Sequence, residues 1–184
     1  MKPKVHPFFH EDSSTWTYVV IEPDGPHAAV IDPVLDFDPK AGRTSTTSAR
    51  SLLDFVASNG LQVDWIIETH AHADHIHGID DLRGFALYQR KLMDIYADRP
   101  TLEHLHHSFA YCFETPPGSS YPPILRSHPI AHAVPFAIDG AGGSITFQPL
   151  PLIHGDIISL GYRIGDIGYC SDVSDIPGDP AAQL

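Results

Sequence analysis

The amino-acid sequence predicts one α/β domain, in which short apolar strands lead directly into residues that can bind a metal ion. Three observations support this prediction. The first is length, because 184 residues suit a single domain with one substantial core. The second is the alternation of short β-branched or aromatic runs with amphipathic segments. The third is a histidine cluster at residues 70–77, which holds four of the 13 histidines.

The first predicted elements form a hairpin. Residues 16–21 (WTYVVI) and 28–32 (AAVID) are rich in β-branched, aromatic and small apolar residues, which favours strands. Between them, the sequence Pro-Asp-Gly-Pro at 23–26 supplies a turn. Residues 33–47 are rich in Asp, Pro, Gly and Thr, and they are therefore predicted to form a loop.

A helix and a strand lead to the histidine cluster. Ser48 can cap a helix over residues 49–59, whose apolar residues share one face, and Gly60 ends it. Residues 63–67 then form a short buried strand, and the histidine loop begins shortly after it, at His70. Placing chemistry at strand ends is characteristic of α/β folds.

The second half of the chain contains further predicted elements. Helices are predicted at 79–88 and 101–109, the second capped by Thr101 with Glu103 in its first turn. Residues 114–123 contain four prolines and are predicted to form a long loop. Strands are predicted at residues 93–97, 145–150, 159–164 and 167–170, and the tail at 177–184 is predicted to be disordered.

Composition and charge restrict the partners. The formal net charge of −12 argues against nucleic acid, because phosphate binding requires a basic surface. No apolar run approaches the roughly 18 residues of a membrane span, and the first residues lack the apolar stretch of a secretory signal. We therefore expect a small-molecule substrate, no membrane partner and a cytoplasmic location. Cys112 and Cys170 are expected to be half-buried thiols, since two cysteines are too few for a disulfide framework.

The strongest feature is the HxHxDH motif at residues 70–75. It offers three imidazoles and a carboxylate within six residues, a ligand set that suits zinc, iron or manganese. In an extended loop, His70 and His72 point the same way and can hold one ion. Asp74 and His75 can face a second position after the chain turns.

Two further ligands are expected from distant parts of the chain, because four residues on one loop do not enclose two ions. His154 follows the apolar run at 149–153. Asp172 follows the predicted strand that ends at Cys170, and a carboxylate can bridge two cations with its two oxygens. Both residues therefore stand at predicted strand ends, as the histidine loop does.

Residues 70–75 resemble the signature of the metallo-β-lactamase superfamily, whose members fold as an αβ/βα sandwich. The resemblance implies a set of metal ligands: His70, His72 and His154 for a first ion, Asp74 and His75 for a second, and Asp172 as a bridge. It also implies that Asp32, at the end of a predicted strand, is the buried aspartate that supports the metal loop. The alternative for Asp32 is an ordinary turn residue at a strand end.

The two parts of the chain resemble different branches of that superfamily. Residues 28–75, with VIDPVLD at 30–36 and GRTS at 42–45, resemble the persulfide dioxygenase and glyoxalase II-like group. Residues 70–177 resemble the phosphoribosyl cyclic phosphate phosphodiesterase group. The runs that carry this second resemblance are HGIDDLRG at 77–84, CFETPPGSSYPP at 112–123, HGD at 154–156 and YCSDVSD at 169–175. We therefore hypothesise a recombined or artificial chimera joined at the shared metal motif.

The second resemblance also predicts an incomplete sandwich. Members of that group continue past the bridging aspartate with further strands and helices, and a late histidine completes their second metal site. Nothing after Asp175 can supply that histidine, so the last strands and helices of the fold are expected to be lacking. The second site would then be weaker, held by Asp74, His75 and Asp172 with water, another chain or His77. An uncovered sheet edge predicts low stability or self-association as a homodimer.

The leading functional hypothesis is metal-assisted hydrolysis of a phosphodiester, such as a cyclic sugar phosphate. A hydroxide bound to one or two zinc ions, with manganese or iron(II) as alternatives, would attack phosphorus. The two-metal mechanism depends on Asp74, which is therefore the candidate catalytic residue. His77 or Arg83 could contact the substrate phosphate, although Arg83 is equally compatible with a surface position on a helix.

Two alternatives stay open. A mononuclear iron persulfide dioxygenase needs only two histidines and one carboxylate, which His70, His154 and Asp172 could supply. A glyoxalase II-like thioester hydrolase belongs to the same alternative. The remaining hypothesis is a non-catalytic metal-binding fragment or chimera, which the lack of a final ligand favours.

Overall fold

The computed structural model describes residues 2–38, 41–71 and 76–178. In these residues two β-sheets pack against each other, and helices cover the outer face of the larger sheet. The strands are β1 (Lys4–His10), β2 (Thr15–Ile21), β3 (His27–Ile31), β4 (Asp36–Asp38), β5 (Arg43–Ser45), β6 (Gln62–Ile67), β7 (Met93–Ala97), β8 (Leu125–Pro129), β9 (Phe136–Gly140), β10 (Gly143–His154), β11 (Ile157–Ile164) and β12 (Ile167–Tyr169). The helices are α1 (Thr47–Ser58), a 3-10 helix (His77–Leu82), α2 (Arg83–Gln89), α3 (Arg99–Ser108) and α4 (Ala110–Phe113).

The larger sheet brings the ends of four strands to one edge. Its order is β1-β2-β3-β6-β7-β8, and β1, β2 and β3 are antiparallel neighbours. In contrast, β3, β6, β7 and β8 run parallel to one another. Because the carboxyl ends of parallel strands meet at one edge, Asp32 after β3 and His70 after β6 lie at the same end of the sheet.

The smaller sheet also directs two strand ends to that side. Its order is β12-β11-β10-β9, with antiparallel pairs throughout. Since β10 and β12 both flank β11, they run in the same direction. His154 is the last residue of β10, and Asp172 follows β12 by three residues. Each sheet therefore delivers predicted ligands to a common end of the sandwich.

Two apolar clusters separate three layers. The first lies between the larger sheet and the helices, and it includes Leu52 of α1 and Leu105 of α3. The second lies between the two sheets and includes Ile31, Ile67 and Phe147. Each described helix contributes residues to the first cluster and none to the second. The described residues thus form a helix layer, a six-stranded sheet and a four-stranded sheet, with β4 and β5 paired as a separate two-stranded sheet.

Glu22 ties the two sheets together at the end of the sandwich opposite the metal loop. This carboxylate is 1% exposed, and it accepts hydrogen bonds from the backbone N–H of His27 at 3.1 Å and of Gly142 at 3.0 Å. A Cβ atom at Gly140 would lie 2.0 Å from Glu22 Oε2, so glycine is required for this close approach. The tie joins the β2–β3 hairpin to the β9–β10 hairpin.

Most predicted elements are present in the structure. Strands predicted at 16–21, 28–32, 63–67, 93–97, 145–150, 159–164 and 167–170 correspond to β2, β3, β6, β7, β10, β11 and β12, and the three predicted helices correspond to α1, to the 3-10 helix with α2, and to α3. The strands that the sequence did not reveal are β1, β4, β5, β8 and β9. Of these, β1 is a largely exposed edge strand that contains Pro7, which obscures the strand pattern.

Both predicted helix caps are wrong. The N-cap of α1 is Thr46, and Ser48 lies inside the first turn. There its backbone N–H and its hydroxyl donate to the Asp36 carboxylate at 2.8 and 2.5 Å, an acceptor that comes from the predicted loop. The N-cap of α3 is Asp98, whose side chain accepts from the Thr101 N–H at 3.0 Å. A carboxylate from upstream satisfies the helix end in each case.

Three smaller sequence predictions concern cysteines, membranes and the tail. Cys112 is a buried free thiol and Cys170 is a partly buried one. Among the described residues, no helix combines the length and apolar character needed to cross a membrane. The predicted disordered tail spans 177–184, of which residues 179–184 lie outside the described part of the chain.

Candidate metal centre

Three predicted ligands come together at the shared end of the two sheets. His70, His154 and Asp172 each offer a ligand atom, and these atoms all lie within 4.8 Å of one another. Asp172 Oδ2 is 3.5 Å from His70 Nε2 and 3.8 Å from His154 Nε2. The two imidazoles meet edge to face, with ring centroids 5.4 Å apart. The larger sheet supplies His70, and the smaller sheet supplies the other two residues.

These three side chains fit a divalent cation. Two imidazole nitrogens and a carboxylate oxygen are the ligand types that zinc and iron(II) accept in proteins. Two ligands at a tetrahedral angle, each about 2.1 Å from an ion, lie about 3.4 Å apart. The measured separations of 3.5 and 3.8 Å are close to that value. The described residues therefore provide one face of a metal site with little rearrangement.

A hydrogen-bonded pair of residues orients His70 from behind. The hydroxyl of Thr69 lies 2.9 Å from His70 Nδ1, which leaves Nε2 directed at Asp172. The same hydroxyl donates to Asp32 Oδ2 at 2.9 Å, and the Thr69 N–H donates to Asp32 Oδ1 at 2.9 Å. Hydrogen bonding at the second nitrogen of a ligating histidine sets its tautomer and ring orientation.

Asp32 is completely buried at the centre of this support. Its side chain accepts from Thr69 and also from the hydroxyl of Tyr169 at 2.7 Å, while its backbone N–H donates to Ile67 O at 3.0 Å. The Thr17 hydroxyl donates to its carbonyl oxygen at 2.6 Å. The carboxylate therefore lies beneath the segment that carries His70, and its role as the support of a metal loop stays a prediction.

The two aspartates of the centre share an unusual backbone conformation. Asp32 has φ of 47° and Asp172 has φ of 48°, both in the left-handed region. Aspartate tolerates this region better than most residues because its short polar side chain can hydrogen-bond locally. In each case the left-handed residue follows a strand and turns the chain sharply, which aims the carboxylate into the centre.

Glu68 is a buried acid that the sequence prediction missed. It is 0% exposed, and within the described residues neither side-chain oxygen has a hydrogen-bond partner. Burial, followed by the charge of Asp32, raises the pKa of Glu68 well above its ordinary value. The available signal was its position, because an acid directly after the apolar run of β6 has little access to water.

Contacts from the smaller sheet hold the metal loop at the backbone as well. The N–H of Leu160 donates to Thr69 O at 3.0 Å, and the Tyr162 hydroxyl donates to Glu68 O at 3.1 Å. These two contacts connect β11 to residues 68 and 69, and the Tyr169 bond connects β12 to Asp32. Sequence reasoning had no signal for them, because both partners of each bond lie far apart in the chain.

The remaining predicted site residues fall into two groups. His72, Asp74 and His75, the other predicted ligands, lie outside the described residues. His77 begins the 3-10 helix, is partly buried, and packs its ring edge against Phe109 with centroids 5.4 Å apart. Its predicted role as a substrate contact or extra ligand stays a prediction.

Arg83 is buried, so the alternative of a surface position on a helix is wrong. Its guanidinium donates to Asp80 at 3.0 Å and to Pro122 O at 3.1 Å, and it lies 4.0 Å from the ring centroid of Tyr121. These contacts hold the proline-rich loop 114–123 against the helix layer. The predicted contact between Arg83 and a substrate phosphate stays a prediction.

A cavity of about 270 Å³ lies between β1, α1 and the 3-10 helix. Its floor is apolar and includes Val34, Leu52 and Leu82. At its rim, His10 Nε2 lies 3.2 Å from the Asp36 carboxylate, which also accepts from Ser48. The polar side chains at the rim thus bond to one another. Among the described residues, the group of side chains placed to bind a metal ion is the one at His70.

Comparisons with known proteins identify the family to which this chain is similar. A family model described as a beta-lactamase superfamily domain matches residues 27–184. A "Beta-lactamase hydrolase-like protein" of Xylella fastidiosa is 32% identical over 203 residues, which cover 99% of this chain and 42% of the relative. A "Probable metallo-hydrolase" of Burkholderia pseudomallei is 46% identical over 72 residues, which cover 39% of this chain and 24% of the relative.

A similar solved structure is that of a "New Diphosphatase from the PhnP Family". It superimposes with a TM-score of 0.61 and 28% sequence identity, covering 88% of this chain and 52% of that chain. The chain therefore spans about half the length of the diphosphatase and less than half the length of the two curated relatives.

Proposed function

The chain belongs to the β-lactamase superfamily with the metallo-β-lactamase fold, and from this premise we propose that it is a metal-dependent phosphodiesterase. Membership makes it a metallo-hydrolase by family, while the phosphodiester substrate is our proposal. The observation that carries it is the cluster of His70, His154 and Asp172 in a chain similar to a diphosphatase. The phosphodiesterase-like runs between residues 77 and 175 favour a small cyclic sugar phosphate as substrate.

Each described residue of the centre has a definite task in this proposal. His70, His154 and Asp172 hold the cation, and Asp32 with Thr69 keeps the His70 ring in the orientation that directs Nε2 inward. When bound, a divalent cation lowers the pKa of water toward 7 and stabilises charge on phosphoryl oxygens. Zinc is the expected metal, as one or two ions, with manganese or iron(II) as alternatives.

Charge also favours a role for cations in substrate binding. The chain carries a formal net charge of −12, so an anionic phosphodiester is repelled by the protein as a whole. Cations held by carboxylates and imidazoles reverse that sign locally. Asp74 and His75 are proposed to hold a second ion, and His77 or Arg83 to contact the phosphate.

The test combines metal analysis with hydrolysis of bis(4-nitrophenyl) phosphate. Protein purified without chelator should contain one to two equivalents of zinc or manganese per chain and hydrolyse the substrate. His154→Asn and Asp172→Asn should each lower kcat/KM by about 100-fold or more, because each removes a ligand. His107→Asn and Asp54→Asn, on the exposed faces of α3 and α1, are matched controls that should retain activity. Unchanged hydrolysis by both ligand variants would refute the proposal.

The second ion has its own test. Asp74→Ala should reduce hydrolysis and lower the metal content toward one equivalent. Full activity in Asp74→Ala would rule out the two-metal mechanism while leaving a one-metal hydrolase in place.

One observation favours a second candidate, a mononuclear iron dioxygenase acting on a persulfide. Its requirement of two histidines and one carboxylate is met by the three clustered side chains. Oxygen uptake with glutathione persulfide by iron-loaded protein, without phosphodiester hydrolysis, would favour this candidate. Metal binding with neither activity would favour a non-catalytic metal-binding chain.

A further inference from the structure

Tyr169 connects the two parts of the chain that carry the clustered ligands. It is the last residue of β12, three residues before Asp172, and it is 5% exposed. Its phenol reaches across the sandwich to the larger sheet. There the hydroxyl oxygen lies 2.7 Å from Asp32 Oδ2 and 3.2 Å from Trp16 O. A side chain from the smaller sheet thus touches the carboxylate that supports His70.

The phenol hydrogen points to Asp32 rather than to the Trp16 carbonyl. A hydroxyl has one proton to donate, and the carboxylate is both nearer and a stronger acceptor. Burial, and then the charge of Asp32, raise the pKa of Tyr169 well above 10. The hydroxyl is therefore a neutral donor at neutral pH.

The bond continues through Asp32 to the ligand. From Tyr169 Oη to Asp32 Oδ2 is 2.7 Å, from Asp32 Oδ2 to Thr69 Oγ1 is 2.9 Å, and from Thr69 Oγ1 to His70 Nδ1 is 2.9 Å. At the other end, the backbone from Tyr169 leads within three residues to Asp172. The path therefore begins beside one ligand, on β12, and ends on another, His70.

We propose that Tyr169 is a positioning residue that sets the separation of His70 and Asp172, and thereby the affinity of the centre for a divalent cation. The inference rests on the proposed function only in assuming that the centre binds a cation. Tyr169 does not reach the ion, and it acts through Asp32. Removing its hydroxyl should let the Asp32–Thr69 pair relax away from β12 without emptying the core.

The test is Tyr169→Phe, which keeps the ring and its edge-to-face contact with Tyr18 at 4.8 Å. Zinc affinity, measured by competition with a chromophoric chelator, should fall about 10- to 100-fold, as for other changes behind a ligating histidine. The absorption bands of the cobalt(II) form should also shift. Tyr111→Phe is the matched control, because it removes a phenol hydroxyl that also donates to an aspartate, Asp80 at 3.2 Å, but on the helix side of the larger sheet. It should retain the affinity and the cobalt spectrum.

A double-mutant cycle with Asp32→Asn shows whether the effect passes through Asp32. If it does, Tyr169→Phe should have little further effect on zinc affinity in the Asp32→Asn background. The free energies of unfolding of the metal-free variants should show the same lack of additivity. Wild-type affinity in Tyr169→Phe, an equal loss in Tyr111→Phe, or additive effects in the cycle would each overturn the proposal. If wild-type protein binds no zinc or cobalt, the proposed function itself is refuted.

Discussion

Replacing Glu22 by alanine should strongly destabilise the protein without disturbing the metal centre. The substitution removes a buried carboxylate that accepts from the N–H groups of His27 and Gly142. A hydrogen bond to a charged acceptor contributes roughly 1.5–3 kcal/mol. Losing two such bonds, partly compensated by water that enters the space and bonds to the two N–H groups, lowers the free energy of unfolding by about 4 kcal/mol. For a chain of this length, about 1 kcal/mol lowers Tm by roughly 2–4 °C, so Tm should fall by about 8–16 °C.

The assay is thermal unfolding followed by circular dichroism, with zinc affinity measured on the same preparation. Glu103→Ala, at an exposed position of α3, is the control and should change stability by no more than about 0.5 kcal/mol. Zinc affinity should be the same in wild type and Glu22→Ala, since the tie lies at the opposite end of the sandwich. A decrease in Tm of less than about 2 °C would refute this reasoning, because the backbone hydrogen bonds of the hairpins would then hold the two sheets together without Glu22.

Three further results are expected. Burial, followed by the charge of Asp80, raises the pKa of Cys112 from 9.0 to about 12. The contribution of the neutral thiol to the free energy of unfolding is therefore complete below about pH 9 and is lost as the pH rises toward 12. The urea concentration at the unfolding midpoint should decrease from pH 8 to about pH 10.5, and this decrease should be smaller in Cys112→Ala. Arg83→Lys should speed cleavage after the exposed Glu114 by a glutamate-specific protease, because lysine cannot reproduce the guanidinium contacts that hold the 114–123 loop, and an unchanged cleavage rate would contradict this role of Arg83. Zinc at about 100 times its Kd should stabilise wild-type protein by about 2.7 kcal/mol, and a similar gain in His154→Asn would show that the ion binds elsewhere.

The sequence indicated those ligands that stand next to a strand pattern. His70, His154 and Asp172 each follow an apolar run, and strands of α/β proteins end where ligands gather. Local pattern alone therefore selected three side chains from distant parts of the chain that the structure brings within 4.8 Å. Their role as metal ligands is a chemical inference that the proposed experiments test.

What the sequence did not reveal depends on contacts between distant segments. The hydrogen-bond acceptor of Tyr169 is Asp32, 137 residues earlier in the chain. The local sequence around an aromatic strand residue does not indicate which distant carboxylate its hydroxyl will contact. The helix caps failed for a related reason, since Ser48 is satisfied by Asp36 from the preceding loop. The exposed edge strand β1 failed because it lacks the alternation of buried and exposed residues on which strand prediction depends.

The division of ligands between the sheets has a mechanical consequence. A cation held by the three ligands would close a loop between the outermost two, His70 and Asp172, which are 102 residues apart, and closing long loops restricts the unfolded chain most. Under tension applied at the two termini, that loop would stay hidden until the coordination bonds break. Its release should add roughly 340–370 Å of contour length, at about 3.3–3.6 Å per residue. Metal occupancy should therefore be readable, one molecule at a time, as a step in extension.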